Sequence, residues 1–157
     1  NIAKIQSGDM ILDIKKINLT QICHEILLEF YNLLEKENFR VEVHIKDKPL
    51  YANADADAIS RILKNLIDNA IKYGSSGKFL GLSLYEKNSH IFIDIEDHGK
   101  GISETDKKYI FTRTYTVDRK KGNGLGLAIS QGLASSMGGS ISVFSIPRKK
   151  TVFTVRL

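Results

Sequence analysis

Asn65, Asn69 and Lys72 lie at i, i+4 and i+7 of the string Asn65-Leu66-Ile67-Asp68-Asn69-Ala70-Ile71-Lys72-Tyr73. On a helix that spacing puts them on one face, with Leu66 and Ala70 to one side, toward a core. A carboxamide oxygen is a hard, neutral ligand suited to Mg²⁺, which takes few protein ligands and fills its shell with waters and phosphate oxygens. A lysine one turn along would neutralise phosphate charge. Taken alone, the same row is equally a solvated polar stripe. A second string, Ile95-Glu96-Asp97-His98-Gly99-Lys100-Gly101-Ile102, sets a carboxylate before Gly-x-Gly. A carboxylate only accepts, so Asp97 would take a hydrogen bond from an exocyclic amine such as adenine's and repel the carbonyl that guanine presents there. The glycines let backbone approach a ligand with no Cβ in the way. A third string, Gly122-Asn123-Gly124-Leu125-Gly126-Leu127, opens a helix. Free N–H groups and a positive dipole end at that point favour phosphate. It is neither a Rossmann fingerprint, since its last spacing is one residue, nor a Walker A loop, since no Gly-Lys-Ser/Thr follows. On their own, the second and third strings also read as an ordinary turn and a hinge before a helix.

The elements that must position these residues follow from hydrophobic spacing. Ile22, Ile26, Leu27, Phe30, Leu33 and Leu34 recur at helical period from Asn18 to about Asn38, with Asn18 or Thr20 as cap. Val41, Val43 and Ile45 alternate with charged residues and predict a half-buried strand over Arg40 to Lys46, ended by Pro49. Asp55 is placed to cap a second helix carrying Ile59, Ile62, Leu63, Leu66, Ile67 and Ala70, closed by Gly74. Strands are expected at Phe79 to Tyr85 and His90 to Glu96, then a Gly-, Thr- and charge-rich loop from Asp97 to Asn123 with a short helix at Glu104 to Phe111. A third helix, Gly124 to Met137, stops at Gly138-Gly139, and strands Ser140 to Ser145 and Thr151 to Arg156 flank a Pro147 to Lys150 turn. The order α, β, α, ββ, loop, α, ββ predicts an α+β two-layer sandwich.

The chain has 157 residues, 23 Lys plus Arg against 18 Asp plus Glu, and a formal charge of +5. That length predicts one domain with a real core. Two prolines and 12 scattered glycines exclude a Pro-rich linker or low-complexity disorder. One cysteine, Cys23, excludes an internal disulfide framework, fits a reducing compartment and reads as core. No apolar run approaches the roughly 18–20 residues of a membrane helix, and no leader is visible at Asn1, so the chain reads as a piece cut from something longer. The basic residues are spread out, with clusters only at Arg119 to Lys121 and Arg148 to Lys150, and no nucleic-acid-binding pattern accompanies them. A smaller anion such as a nucleoside triphosphate remains compatible with the charge.

Together, the order and spacing of the three strings resemble the catalytic and ATP-binding domain of bacterial sensor histidine kinases, in the wider group of gyrase, heat-shock chaperone, histidine kinase and mismatch-repair ATPases (the Bergerat fold). Residues 65–73 are similar to that family's N box and 97–102 to its G1 box. Ile110-Phe111-Thr112-Arg113 is similar to the F box, and 122–127 to the G2 box. Met137 to Val143 matches as well. The resemblance covers 18–157, and residues 1–17 look like the end of a dimerisation helix and its linker. It implies a five-stranded mixed sheet covered by three helices, with an ATP lid at 103–123. It implies ATP and Mg²⁺, with Asn69 as principal metal ligand and Asn65 near metal and phosphates. Lys72 would contact phosphate and Tyr73 the sugar or base. Asp97 would read adenine in a pocket shaped by Gly99, Gly101 and Ile102. Arg113 would reach the γ-phosphate, Tyr115 would contact the nucleotide from the lid, and Gly122, Gly124, Leu125, Gly126 and Leu127 would hold the phosphates.

Hydrolysing members of the group carry Glu at the position of Asn65 as general base. A carboxamide cannot take that proton near neutral pH, so the resemblance implies phosphoryl transfer to an acceptor from elsewhere, catalysed by positioning and charge. That acceptor would be a histidine on the dimerisation domain of the same homodimeric kinase, and a response regulator's receiver domain would take the phosphoryl next. Nucleic acid and direct membrane contact are not expected. The chain would be a cytoplasmic domain of an inner- or plasma-membrane sensor. The F box departs from the family: Thr114 and Thr116 replace its second Phe and second Arg, a loss for which Arg119 is placed to compensate. His24-Glu25 lacks the Thr-Pro that follows an acceptor histidine, so His24 reads as an ordinary helix residue. His44 and His90 read as strand positions and His98 as the pocket edge. The alternatives are a serine kinase of the same fold, of the anti-sigma-factor type, and a degenerate nucleotide-binding interaction module.

Overall fold

A computed structural model describes residues 2–4, 11–113, 115 and 125–157. In chain order its elements are β1 (Ile2–Lys4), β2 (Ile11–Asp13), β3 (Lys15–Asn18), α1 (Leu19–Lys36), β4 (Arg40–Ile45), β5 (Tyr51–Ala54), α2 (Ala56–Tyr73), β6 (Phe79–Lys87), β7 (His90–Asp97), α3 (Glu104–Lys107), α4 (Gly126–Ser136), β8 (Ser140–Ile146) and β9 (Lys150–Arg156).

The main sheet has five strands in the order β4-β6-β7-β9-β8. β4 and β6 run parallel because α2 crosses over between them, and the other pairs are antiparallel. The β6–β7 hairpin turns at Asn88 and Ser89, both with positive φ, the geometry that matches strand twist. Register stacks Leu84, Ile93, Val155 and Ile141 in one row across four strands, and Leu82, Ile95, Phe153 and Val143 in the next. All except Val143 are buried, under α2 with its fully buried Ile62, Leu63, Leu66 and Ile67. The row after that is Leu80, Asp97, Thr151 and Ser145. The apolar floor thus ends in three buried polar side chains.

Caps fall where side-chain chemistry puts them. Asn18 Oδ1 accepts from Gln21 N at the start of α1, and Asp55 Oδ1 from Ala58 N at the start of α2. Asp55 is buried, and its other oxygen accepts from Asp13 N at 2.7 Å. One carboxylate therefore ties the N-terminal segment to the helix. Gln131 of α4 both donates to the carbonyl and accepts from the amide of Ile141, covering the outer side of β8.

Near the start of the chain β1 pairs with β2, β3 pairs with β5, and Leu12 is wholly buried. Two expectations change. β5 itself was not foreseen, since Tyr-Ala-Asn-Ala is short and holds no β-branched residue, and its pairing is long-range. β4 is not half-buried. It is an edge strand whose Val41 and Val43 stay exposed, because α1 leans toward α2 and leaves them uncovered.

Asp55→Ala would leave the Ala58 and Asp13 amides without their acceptor. We expect a loss of about 2–3 kcal/mol, read as a lower urea midpoint at unchanged m-value, with Asp55→Asn losing less.

Candidate functional site

The C-terminal half of α2 runs past the end of β7, and Asn65 faces α4 across the gap. Asn65 Nδ2 donates to the Gly126 carbonyl at 3.2 Å and to Ser130 Oγ at 3.0 Å. A carbonyl can only accept, so this contact fixes which end of the carboxamide points at α4. Asn65 Oδ1 is the atom left over. Asn69, one turn on, is half-buried. Lys72 Nζ pairs with Asp68 at 2.8 Å, an i, i+4 contact that raises the lysine's pKa further. Leu125 precedes α4 as its N-cap and makes no side-chain capping bond, and the start of the helix is a positive dipole end that attracts anions.

Asp97 closes β7 and is 7% exposed. Its Oδ1 accepts from Gly99 N at 2.9 Å. Burial pushes the carboxyl up to about 6. The Gly99 amide and the neighbouring His98 pull the other way, and Glu96 adds to the rise. Thr151 lies opposite Asp97 in the register and donates to or accepts from Ser145 at 2.8 Å, while Ser145 Oγ also accepts from Ile102 N at 3.0 Å. Ile102 is thereby fastened to the sheet's far edge. Gly101 (φ +84°) sits where a Cβ would come within 2.7 Å of Pro147 Cα, and Arg148 N donates to Lys100 O. The basic Pro147 to Lys150 turn buttresses this loop.

Tight backbone approach explains three glycines. A Cβ on Gly74 would stand 2.6 Å from Asp97 Cβ, one on Gly99 2.5 Å from Tyr73 O, and one on Gly77 1.9 Å from His98 O. Gly74 does cap α2 as expected, but with φ −96°, so space and not left-handed backbone demands glycine. Tyr73, the last residue of α2, is held against Gly99 by this contact.

α3 carries the start of the expected lid. Lys107 pins it by donating to Ser145 O at 3.1 Å, Ile110 is buried, and Phe111 meets Phe153 edge-on at 6.3 Å. Arg113 is exposed in the turn that follows. Tyr115 rests against Tyr109 and donates to Asp106 Oδ1, so its polar end is engaged on α3. Leu127 is half-buried and packs on the core. Gly122, Gly124, Thr114, Thr116 and Arg119 to Lys121 lie outside the described residues.

The structure thus gathers Asn65, Asn69, Lys72, Tyr73, Asp97, Gly99, Gly101, Ile102, Leu125 and Gly126 around the ends of α2, β7 and α4. It does not bring His98 to the pocket edge. That ring stacks flat on Phe79 at 3.8 Å and meets Glu96 at 2.7 Å, on the sheet face away from the helices. Thr151, Ser145, Ser130 and Gly74 were not singled out from sequence as site residues, since only strand register and helix packing bring them here. Cys23 is buried, its thiol pushed up to about 12 by loss of water, and it sits in the core as expected.

Residues 54–157 match the family described as histidine kinase-, DNA gyrase B-, and HSP90-like ATPase. The chain belongs to this ATPase family. It is 41% identical over 162 residues to the sensor histidine kinase YcbM of Bacillus subtilis, covering 100% of this chain and 52% of that protein. It is 33% identical over 175 residues to the signal transduction histidine-protein kinase ArlS of Staphylococcus epidermidis, covering 92% and 38%. The chain therefore spans about half or less of these relatives. The solved catalytic domain of histidine kinase ThkA superposes with a TM-score of 0.83 at 24% identity, over 93% of this chain and 95% of that one, and shares the fold. Membership in the ATPase family implies an ATP site, and the five-stranded mixed sheet under its helices is that family's sandwich.

Asp97 makes stability depend on pH in a defined direction. Its native pKa lies above the ordinary 3.8, at about 6. Between those values the folded state holds more protons than the unfolded one, so this contribution to stability is full at the acid end and fades as pH rises through about 6. Urea denaturation of the wild type and Asp97→Asn from pH 4 to 7 should show that decline in the wild type and its absence in the variant.

Proposed function

We propose that this chain is the ATP-binding catalytic domain of a sensor histidine kinase. In this reading it passes the γ-phosphoryl of Mg·ATP to a histidine on a separate dimerisation domain of the same homodimeric kinase, for relay to a response regulator's receiver domain. The observation that carries the reading is Asn65. The position where hydrolysing members hold a basic carboxylate is filled by a carboxamide whose nitrogen is committed to α4. No proton acceptor for water stands there, so phosphoryl transfer is left to an acceptor supplied from outside.

The donor set fits the metal. Among the described residues no cluster of three His, Cys, Asp or Glu is present. The two carboxamide oxygens of Asn69 and Asn65 suit an ion that keeps most of its shell for water and phosphate. Those two residues would hold Mg²⁺, which when bound would neutralise phosphate charge. Asp97 Oδ2, left over from the Gly99 contact, accepts from adenine's amine, with Thr151 beside it. Tyr73 and Ile102 flank the base and sugar. Lys72, swung from Asp68, and the amides at the start of α4 take phosphate oxygens, joined by Gly122 and Gly124. Arg113, with Tyr115 in the lid, covers the γ-phosphate. The bond from γ-phosphorus to its bridging oxygen breaks, a bond to the incoming imidazole nitrogen forms, and ADP leaves. Residues 1–17 form the connector toward the dimerisation domain, with Leu12 and Asp13 as its docking point on this one. The full-length protein would then be a membrane sensor with this domain in the cytoplasm. None of the chain's helices, among the described residues, is long and apolar enough to cross a membrane.

The test mixes this chain with the histidine-bearing domain of its own kinase and labelled ATP. Label should appear on that partner as an acid-labile, base-stable phosphohistidine, and Asp97→Asn should reduce it by at least about tenfold, the loss of one charged hydrogen bond. Label on serine, or none on any partner despite ATP binding, would overturn the proposal.

A further inference from the structure

Ser130 is a buried hydroxyl, wholly out of solvent, on the inner face of α4, and no sequence motif points to it. It stands one helical turn after Gly126, so Gly126 O and Ser130 Oγ are stacked on the same side of the helix. Both receive the same amide, Asn65 Nδ2, at 3.2 and 3.0 Å. A Cβ built on Gly126 would sit 3.7 Å from Asn65 Cγ, so the carboxamide lies flat against the start of α4.

A carboxamide has two ends of nearly the same shape. Turned one way, Asn65 offers an oxygen to the nucleotide side, and turned the other way it offers two N–H donors, which repel a cation. The Gly126 carbonyl disfavours the wrong orientation by oxygen–oxygen repulsion, and Ser130 Oγ, accepting from the same amide, adds a second hydrogen bond to the favoured one. From this geometry we infer that Ser130 is a positioning residue. Together with the Gly126 carbonyl it locks the Asn65 carboxamide so that Oδ1 faces the metal–phosphate site, and it makes position 65 specific for a carboxamide over a carboxylate. A carboxylate there would set an oxygen against Gly126 O with no proton to share. The inference rests on the proposed Mg·ATP reading and names a residue that reading does not use.

The same pair carries a second consequence. The start of α4, where phosphate is expected, is joined to α2 through the very side chain that is to meet the metal.

The experiment is a titration of the purified chain with a fluorescent ATP analogue, with and without Mg²⁺, for the wild type, Ser130→Ala, Asn65→Ala, the double variant and Asn65→Asp. Ser130→Ala should lose about fivefold to tenfold of the Mg²⁺-dependent gain in affinity, as expected for one buried hydrogen bond, while Mg²⁺-free binding stays at the wild-type value. In the Asn65→Ala background the same substitution should have no further effect on that gain. Asn65→Asp, which has a stronger metal ligand but no donor, should also bind the Mg²⁺ complex more weakly than the wild type. Equal loss with and without Mg²⁺, additive effects of the two alanine substitutions, or Asn65→Asp binding the complex as tightly as the wild type would each overturn the inference. A wild type that binds no nucleotide at all would instead sink the functional proposal on which it rests.

Discussion

Helix α2 ends in direct backbone contact with the strand end that bears Asp97, and the rest of the architecture follows from that contact. Gly74 and Gly99 lie so close that a methyl group on either would overlap the other segment. The contact sets the angle of α2 over the sheet, and with it the depth of Asn65 and Asn69. It also closes water away from Asp97, whose raised pKa is the electrostatic record of that burial. A carboxylate so placed costs stability when ionised and gains selectivity for a donor that can replace the lost water. The remaining elements hold this geometry from outside: Asp55 fixes the far end of α2, Asn65 ties its middle to α4, and the β8–β9 turn braces the loop after Asp97.

Much of this was legible in the sequence because the signals were local. The α2 face, its Asp55 cap, the β6–β7 hairpin and the glycines after Asp97 each rest on residues within one helical turn or one strand of each other, and the structure keeps them. What was not legible depends on pairing at a distance. Thr151 belongs to the site only because β9 lies beside β7 in a register that sets it against Asp97. Ser130 belongs because α4 packs on α2. β5 forms because β3 is there to pair with it, and β4 loses its cover because α1 sits nearer α2. His98 shows the same limit in reverse. Its place in a glycine-rich loop suggested the pocket, but strand alternation turns it to the other face, where Phe79 and Glu96 hold it.

The polar row Asp97, Thr151 and Ser145 also shows how one sheet face serves two purposes. Two residues along each strand from the buried isoleucine, phenylalanine and valine rows, the same face turns from core to binding floor. The side chains there are satisfied by one another and by loop amides. A floor built this way is as rigid as the core it extends.

The bond from Gln131 to both backbone groups of Ile141 has a consequence for assembly. It fills the outward-facing ladder positions of β8 at Ile141 with a side chain that mimics a neighbouring strand, so another strand cannot pair there. The opposite margin, β4, is guarded differently, by Arg40, Glu42 and His44 along its length. Intermolecular strand addition, and with it the earliest step of aggregation, meets a side-chain block at Ile141 on one margin and a charged row on the other.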